Sequence, residues 1–278
     1  MVRRAGVAVL GGTFDRLHIG HRALLAAAFQ VADEVRIGLT TRAFLLRHPK
    51  QLGRSIQPFA TRRRALARYI RTTFPTRRFR IVPLEDPFGG SLARGIDVLV
   101  ASVESQAGAR AVNRERQRRH LPPLRLVLLP LSVGEDRIPV SSTRVRAKIV
   151  DPNGRRRRPL RLAICGAPRR VLPWVEGAFT LEFPSLGGVR VNVSRGSTRS
   201  SSPPGARVAR ERALRASEGK DYGVGWSQPS RPPLRTWLAL ASPQGLVGRP
   251  RSLATPDAES VGRVLRDLLG RAAGPPST

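Results

Sequence analysis

Apolar and polar positions in the first half of the chain follow two alternating patterns. Short apolar runs, the first of them with β-branched residues, fall at 7–10, 35–39, 79–84, 97–101 and 124–131. Between them lie helical stretches at about 20–32, 59–74 and 106–119, the second with an apolar stripe at Leu66, Tyr69 and Ile70. A further helix opens near Ser141. Strands alternating with helices across short connections predict an α/β fold, a Rossmann-like parallel sheet covered on both faces. Ligands of such sheets bind at the carboxyl ends of the strands. Asp151-Pro152-Asn153-Gly154 is a turn signal, and four arginines at 155–158 and then Pro159 follow it. The expected layout is therefore a first domain at 1–150, a linker at 151–159 and a smaller mixed α/β domain at 160–271. That second segment opens with a strand at 160–164 and reads as loop at 194–205 and 228–233. A strand at 238–241 and an amphipathic helix at 258–269 follow, the helix with Val261, Val264, Leu265 and Leu268 on one face. The tail, 272–278, reads as disordered.

The chain has 278 residues, 40% of them hydrophobic, which suffices for a real core in one large or two ordinary domains. The longest unbroken apolar run covers only 23–29, against about 20 residues for a bilayer span. No apolar h-region follows the N-terminal arginines, so no secretory signal is read. The lone Cys165 excludes a disulfide framework and a multi-cysteine zinc site. A soluble cytoplasmic protein without a membrane partner is expected. The net charge is +31, and only three of the 50 cations are lysine. Such charge invites a nucleic-acid reading. It is spread over both halves, however, with +18 in 1–150 and +13 in 151–278, and aromatic residues are only 5%. No stacking platform or known module accompanies it, so no specific nucleic-acid partner is expected.

The segment that carries chemistry is Gly11-Gly12-Thr13-Phe14-Asp15-Arg16-Leu17-His18-Ile19-Gly20-His21. It leaves a strand and enters a helix. Two glycines let the backbone approach a ligand, and a helix start presents N–H groups to an anion. His18 and His21, two of only four histidines, stand three apart and share one side. A polyphosphate is the anion this pattern suits. A second anion signal is Pro139-Val140-Ser141-Ser142-Thr143-Arg144, where small hydroxyls open a helix and Arg144 adds a fork of donors.

The first segment resembles the GTFDxLHxGH signature of the nucleotidyltransferase superfamily, and the second resembles its late Ser-Ser-Thr helix start. Ile81-Val82-Pro83-Leu84-Glu85-Asp86-Pro87-Phe88-Gly89, Ala101-Ser102-Val103-Glu104, Val112-Asn113-Arg114 with Arg116, and Leu121-Pro122-Pro123-Leu124 narrow the likeness. They resemble the archaeal and eukaryotic type of phosphopantetheine adenylyltransferase over residues 5–148. The resemblance implies adenylyl transfer from ATP to 4′-phosphopantetheine, with Mg²⁺ as the counter-ion of ATP. It also implies an ATP site of Gly11, Gly12, Thr13, Phe14, His18, His21, Glu104, Asn113, Val140, Ser141, Ser142, Thr143 and Arg144. His21 is expected on the α/β-phosphates with His18 in support, and Thr13 between nucleophile and α-phosphate. Ser141 to Arg144 are expected on the β/γ-phosphates. Arg47 or Lys50, after the second strand, is expected to hold the incoming phosphate together with Thr13. Val103-Glu104-Ser105 departs from the family's Glu-Thr pair at that place.

The second segment resembles the archaeal inosine/xanthosine triphosphatase family at three places. These are Leu162-Ala163-Ile164-Cys165-Gly166-Ala167-Pro168-Arg169-Arg170, Ala209-Arg210-Glu211-Arg212-Ala213 and Asp221-Tyr222-Gly223-Val224-Gly225. Cys165, Ala167 and Arg170 replace that family's Ser, Asn and Lys, and Trp226-Ser227-Gln228 stands where its metal-binding acid falls. Metal-assisted hydrolysis needs carboxylates to place the ion and the water. A degenerate, catalytically inactive domain is expected. The alternatives are a bifunctional enzyme that retains triphosphatase activity, or a nucleotidyltransferase for another small phosphate ester. Oligomeric state is not read from the sequence.

Overall fold

The computed structural model describes residues 5–184, 189–194, 205–228, 235–254 and 256–272. Residues 273–278 of the expected tail and most of the two expected loops, at 194–205 and 228–233, lie outside the described residues, while Ala272 ends a helix. The chain forms two compact units, Met1–Ser132 with Pro139–Arg155, and Val133–Ile138 with Arg156–Thr278.

The first unit follows the alternation legible in the sequence. In chain order it contains β1 (Ala5–Gly12), α1 (Ile19–Val31), β2 (Ala32–Thr40), α2 (Arg42–Arg47), α3 (Phe59–Thr73), β3 (Arg78–Leu84), β4 (Val98–Ser102), α4 (Gln106–Arg118), β5 (Arg125–Leu129) and α5 (Ser142–Arg146). The five strands are parallel, in the order β3-β2-β1-β4-β5. Successive side chains point to opposite faces, and both faces are covered. Leu10, Ile37, Leu39, Leu25, Phe29, Leu66 and Ile70 are buried on one. Val9 and Leu99 pack with Ala109 and Val112 of α4 on the other. Strand order reverses at β1, between β2 and β4, so a crevice opens at their carboxyl ends. Helix α2 was missed because a six-residue basic segment shows too little period to be told from a solvated loop; Thr41 caps it by accepting from the Phe44 amide.

The second unit contains β6 (Leu160–Cys165), α6 (Leu172–Glu182), β7 (Val189–Ser194), α7 (Ala206–Ser217), β8 (Tyr222–Ser227), β9 (Thr236–Ser242), β10 (Gly245–Leu246), β11 (Arg251–Leu253) and α8 (Ala258–Ala272). The sheet is mixed, in the order β10-β9-β8-β6-β7 with β11 on β9. Strands β6, β7 and β8 run parallel, and β9 runs antiparallel to β8. Helix α7 lies almost on the backbone of β8. A Cβ added at Gly225 would stand 1.9 Å from the Ala209 carbonyl oxygen, and one at Gly223 would stand 2.3 Å from that of Ala213. The Gly-Val-Gly pattern here thus has a packing reason that owes nothing to a ligand.

The expected linker at 151–159 is not a free connection. Asp151 accepts from the Asn153 and Arg155 amides in a turn of the first unit. Arg156 belongs to the second unit, where its guanidinium pairs with Asp136 and, at 2.7 Å, with Asp221. The Tyr222 hydroxyl donates to the Asp136 carbonyl at 2.8 Å, and Ile138 is buried among Leu160, Leu162 and Tyr222. A run of four arginines resembles a solvated face. One of them is matched to carboxylates 20 and 65 residues away, which local reading cannot detect.

Candidate active site

Three segments converge at the carboxyl ends of β1 and β2. The first is the turn from β1 into α1. Phe14 and Arg16 take positive φ of 46° and 48°, which aims successive side chains in different directions within a tight turn. Phe14 is buried, its ring 5.0 Å from that of His21. His18 and His21 stack with ring centroids 3.8 Å apart. Gly20 suits this stack: a Cβ there would lie 3.2 Å from His18 Cε1, so the ring would have to give by a few tenths of an ångström. The His18 amide points at His21 Nδ1 over 3.5 Å. That leaves Nε2 of a neutral His21 as the proton-bearing nitrogen. Burial, aided by the Arg22 charge, lowers the His18 pKa to about 4. Burial, with His18 and Lys50 nearby, holds His21 well below its ordinary value. Both imidazoles are therefore neutral at physiological pH, and His21 presents Nε2–H as a donor.

The second segment follows β2. Lys50, 37 residues from Thr13, donates to Thr13 Oγ1 over 2.9 Å. Partial burial and the neighbouring Arg146 and Arg62 lower its pKa from the ordinary value. Arg47 instead donates to the Glu85 carbonyl. Of the two candidate cations, the structure places Lys50 beside Thr13 and turns Arg47 elsewhere.

The third segment is α5. Ser141 caps it by accepting from the Arg144 amide at 3.3 Å. The Ser142 hydroxyl donates to the Asp15 carbonyl at 2.9 Å, and Arg144 donates to the Pro139 carbonyl at 3.2 Å. Val140 packs with Ile19 and Val145. Two expected residues stand apart from this cluster. Both ends of the Asn113 amide are occupied by the Leu124 backbone, at 2.8 and 2.9 Å, where they fix the entry to β5. Glu104 is exposed in the single helical turn Val103–Ser105.

The sequence reading missed the frame that joins the segments. Arg146 donates to Asp15 Oδ2 at 2.8 Å, to Thr143 Oγ1 at 2.9 Å and to the Gln51 carbonyl at 2.9 Å. The Arg146–Asp15 pair is almost fully buried, at 1% and 0% side-chain exposure. Arg62, buried in α3, donates to the carbonyls of Thr13, Thr40 and Gln57 at 2.7–2.9 Å. Asp15 and Arg146 stand in or beside the two motifs, so the signal was present. Their 131-residue separation hid the pairing.

Comparison with known proteins decides the lineage. Residues 9–148 match the cytidylyltransferase-like family. A phosphopantetheine adenylyltransferase of Methanopyrus kandleri is 39% identical over 142 residues, which are 51% of this chain and 88% of that protein. The chain belongs to this family. A bifunctional phosphopantetheine adenylyltransferase/NTP phosphatase of Thermoplasma acidophilum is 30% identical over 223 residues, 79% of this chain and 66% of that protein. A solved protein of unknown function from Archaeoglobus fulgidus is 30% identical and covers 45% of this chain and 88% of its own, with a TM-score of 0.40. The family match at 9–148 lies largely in the first unit, and the 223-residue alignment is longer than that unit.

Proposed function

We propose that the first unit transfers the adenylyl group of ATP to 4′-phosphopantetheine, releasing dephospho-coenzyme A and pyrophosphate. The observation that carries this reading is the meeting of Lys50 and Thr13 beside the stacked, neutral His18–His21 pair. A phosphate monoester is already a nucleophile, so no side-chain base and no covalent intermediate are needed. One of its oxygens attacks the α-phosphorus, and the bond from that phosphorus to the leaving pyrophosphate breaks. Lys50 holds the incoming phosphate, Thr13 Oγ1 lies between it and the α-phosphate, and His21 Nε2–H donates to the oxygens that gain charge. Catalysis then rests on placement and charge stabilisation.

We assign the acceptor's neutral arm to a cavity that shares Gly11 with the end of β1. This cavity, of about 430 Å³, is lined by Gly11, Leu84, Phe88, Ser91, Ala109 and Val112, among others. Its walls are mostly apolar, with Arg36 and Arg80 also among them, and its size suits a small organic chain. Mg²⁺ would arrive on the phosphates of ATP. Among the described residues no group of three or more His, Cys, Asp or Glu could hold a metal, and Asp15 is already paired with Arg146. No step above runs through the ion. Among the described residues no helix is long and apolar enough to cross a membrane, and a cytoplasmic setting is part of the same proposal.

Pyrophosphate release with phosphopantetheine and either ATP or CTP tests the reading. Turnover with ATP and little with CTP is expected; turnover with CTP alone would favour a cytidylyltransferase. The second unit is proposed to hydrolyse no inosine triphosphate, because Trp226 and Ser227 follow the Gly-Val-Gly strand where carboxylates would be needed. The 223-residue alignment with a bifunctional relative makes that the second assay to run on the full chain.

The buried imidazoles also predict a pH response. Unfolded histidine takes up a proton near pH 6.5, whereas folded His18 does so only at about pH 4. Between those values the unfolded chain binds more protons, so stability falls as pH falls through this window. Thermal melts of the free protein from pH 7 to pH 4 should show that decline, and His18→Gln should flatten it. An equally steep decline in the variant would assign the effect to other groups.

A further inference from the structure

Arg116 is a buried cation that the proposed chemistry does not use. It is 1% exposed, on the face of α4 that also carries Val112 one turn earlier and Gly108 and Ala109 two turns earlier. Its guanidinium has three carbonyl partners and, among the described residues, no carboxylate partner. Nε donates to Pro122 at 2.7 Å, and Nη1 donates to Ser91 at 2.6 Å and Ala93 at 3.0 Å. Burial alone lowers its pKa. Leaving a charge in a protein interior is costly unless hydrogen bonds or an ion pair offset it.

What it holds is a wall of the cavity. The segment after β3 turns on Asp86, which accepts from the Phe88 and Gly89 amides at 2.8 and 2.7 Å. It passes through a short helical turn, Gly89–Leu92, and Phe88, Ser91 and Ala93 then face the cavity opposite Gly108, Ala109 and Val112 of α4. Ser91 is buried and Ala93 exposed, and the carbonyls of both accept from Arg116. Arg116 satisfies both with one nitrogen and ties them to Pro122 with another, so the distance from wall to helix is fixed by the planar fork. A lysine ammonium, a single point of charge on a flexible stem, cannot reproduce that spacing.

We propose that Arg116 is a positioning residue for acceptor selection: it sets the width of the apolar cavity and thereby the fit of the acceptor's neutral arm, without touching ATP or the reacting atoms. This rests on the adenylyltransferase reading above. The test is steady-state kinetics on the full chain with each substrate varied in turn, for wild type, Arg116→Lys and Asp86→Ala. Asp86 is exposed, so its replacement loosens the same wall without disturbing a buried charge and keeps the test available should Arg116→Lys fold poorly. For both variants KM for phosphopantetheine should rise about tenfold or more, with KM for ATP and kcat within about twofold of wild type. With a short-chain phosphate monoester as acceptor, which never reaches the wall, variant and wild type should be equal. An unchanged acceptor KM in a folded variant overturns the proposal. So does an equal loss with the short acceptor, or a parallel loss in kcat and KM for ATP, because the residue would then support the fold generally. Wild type that makes no dephospho-coenzyme A defeats the adenylyltransferase reading itself, a result distinguishable from either.

Discussion

His21→Ala is expected to lower kcat by about 10²–10³-fold while the protein remains folded. The reason is geometric. With Nδ1 facing the His18 amide, the other nitrogen is the donor, and it is held neutral by burial. Removing one fixed donor from a site where charge develops costs about that much elsewhere. The KM for phosphopantetheine should move little, because Lys50 and Thr13 remain. His21→Gln should recover part of the rate, since an amide N–H can stand near the same position. Circular dichroism and the melting temperature separate this from a folding defect. If His21→Ala retains near-normal kcat, the phosphate role given to His21 is wrong.

Arg146→Met should damage both stability and turnover. The variant leaves Asp15 buried with one amide partner, that of Gln57 at 3.0 Å, in place of an ion pair at 1% and 0% exposure. Breaking a buried pair by deleting one partner costs about 3–5 kcal/mol, enough to lower the melting midpoint of the first unit by roughly 10 °C. Activity should fall even below that midpoint, because Arg146 also holds Thr143 and the Gln51 carbonyl, next to Lys50. The double variant Asp15→Asn/Arg146→Met should recover stability more than rate, since it removes the stranded charge without restoring the frame. Scanning calorimetry and pyrophosphate release read the two effects apart. A melting point within a degree or two of wild type would contradict the account of the pair.

Much of the first unit was legible because its two periods are local properties. Strand β2 was expected at 35–39 and spans Ala32–Thr40, and α3 was expected at 59–74 and spans Phe59–Thr73. Helix α6 gave no clear stripe: Pro173, Trp174 and Gly177 interrupt its period, although a proline in the first turn is compatible with a helix start. Long-range pairing was the part that could not be read. Arg146 with Asp15, Arg62 with three carbonyls, and Arg156 with Asp136 and Asp221 all have buried side chains, and nothing local in the sequence sets them apart from the other arginines. Asn113 is the opposite case. It stood in a family-like run and was expected on ATP, yet both ends of its amide hold the backbone at Leu124. The same difference separated Lys50 from Arg47: both are basic and follow β2, and only the fold shows which one reaches Thr13.

The central claim is direct attack by the acceptor's phosphate on the α-phosphorus of ATP at the Lys50–Thr13–His21 centre. Its most direct test is mass spectrometry of the product formed from ATP and 4′-phosphopantetheine labelled with ¹⁸O in its phosphate. The account predicts dephospho-coenzyme A that retains every labelled oxygen, with one unlabelled pyrophosphate per turnover. Label in the pyrophosphate, or no dephospho-coenzyme A from the folded protein, would contradict it.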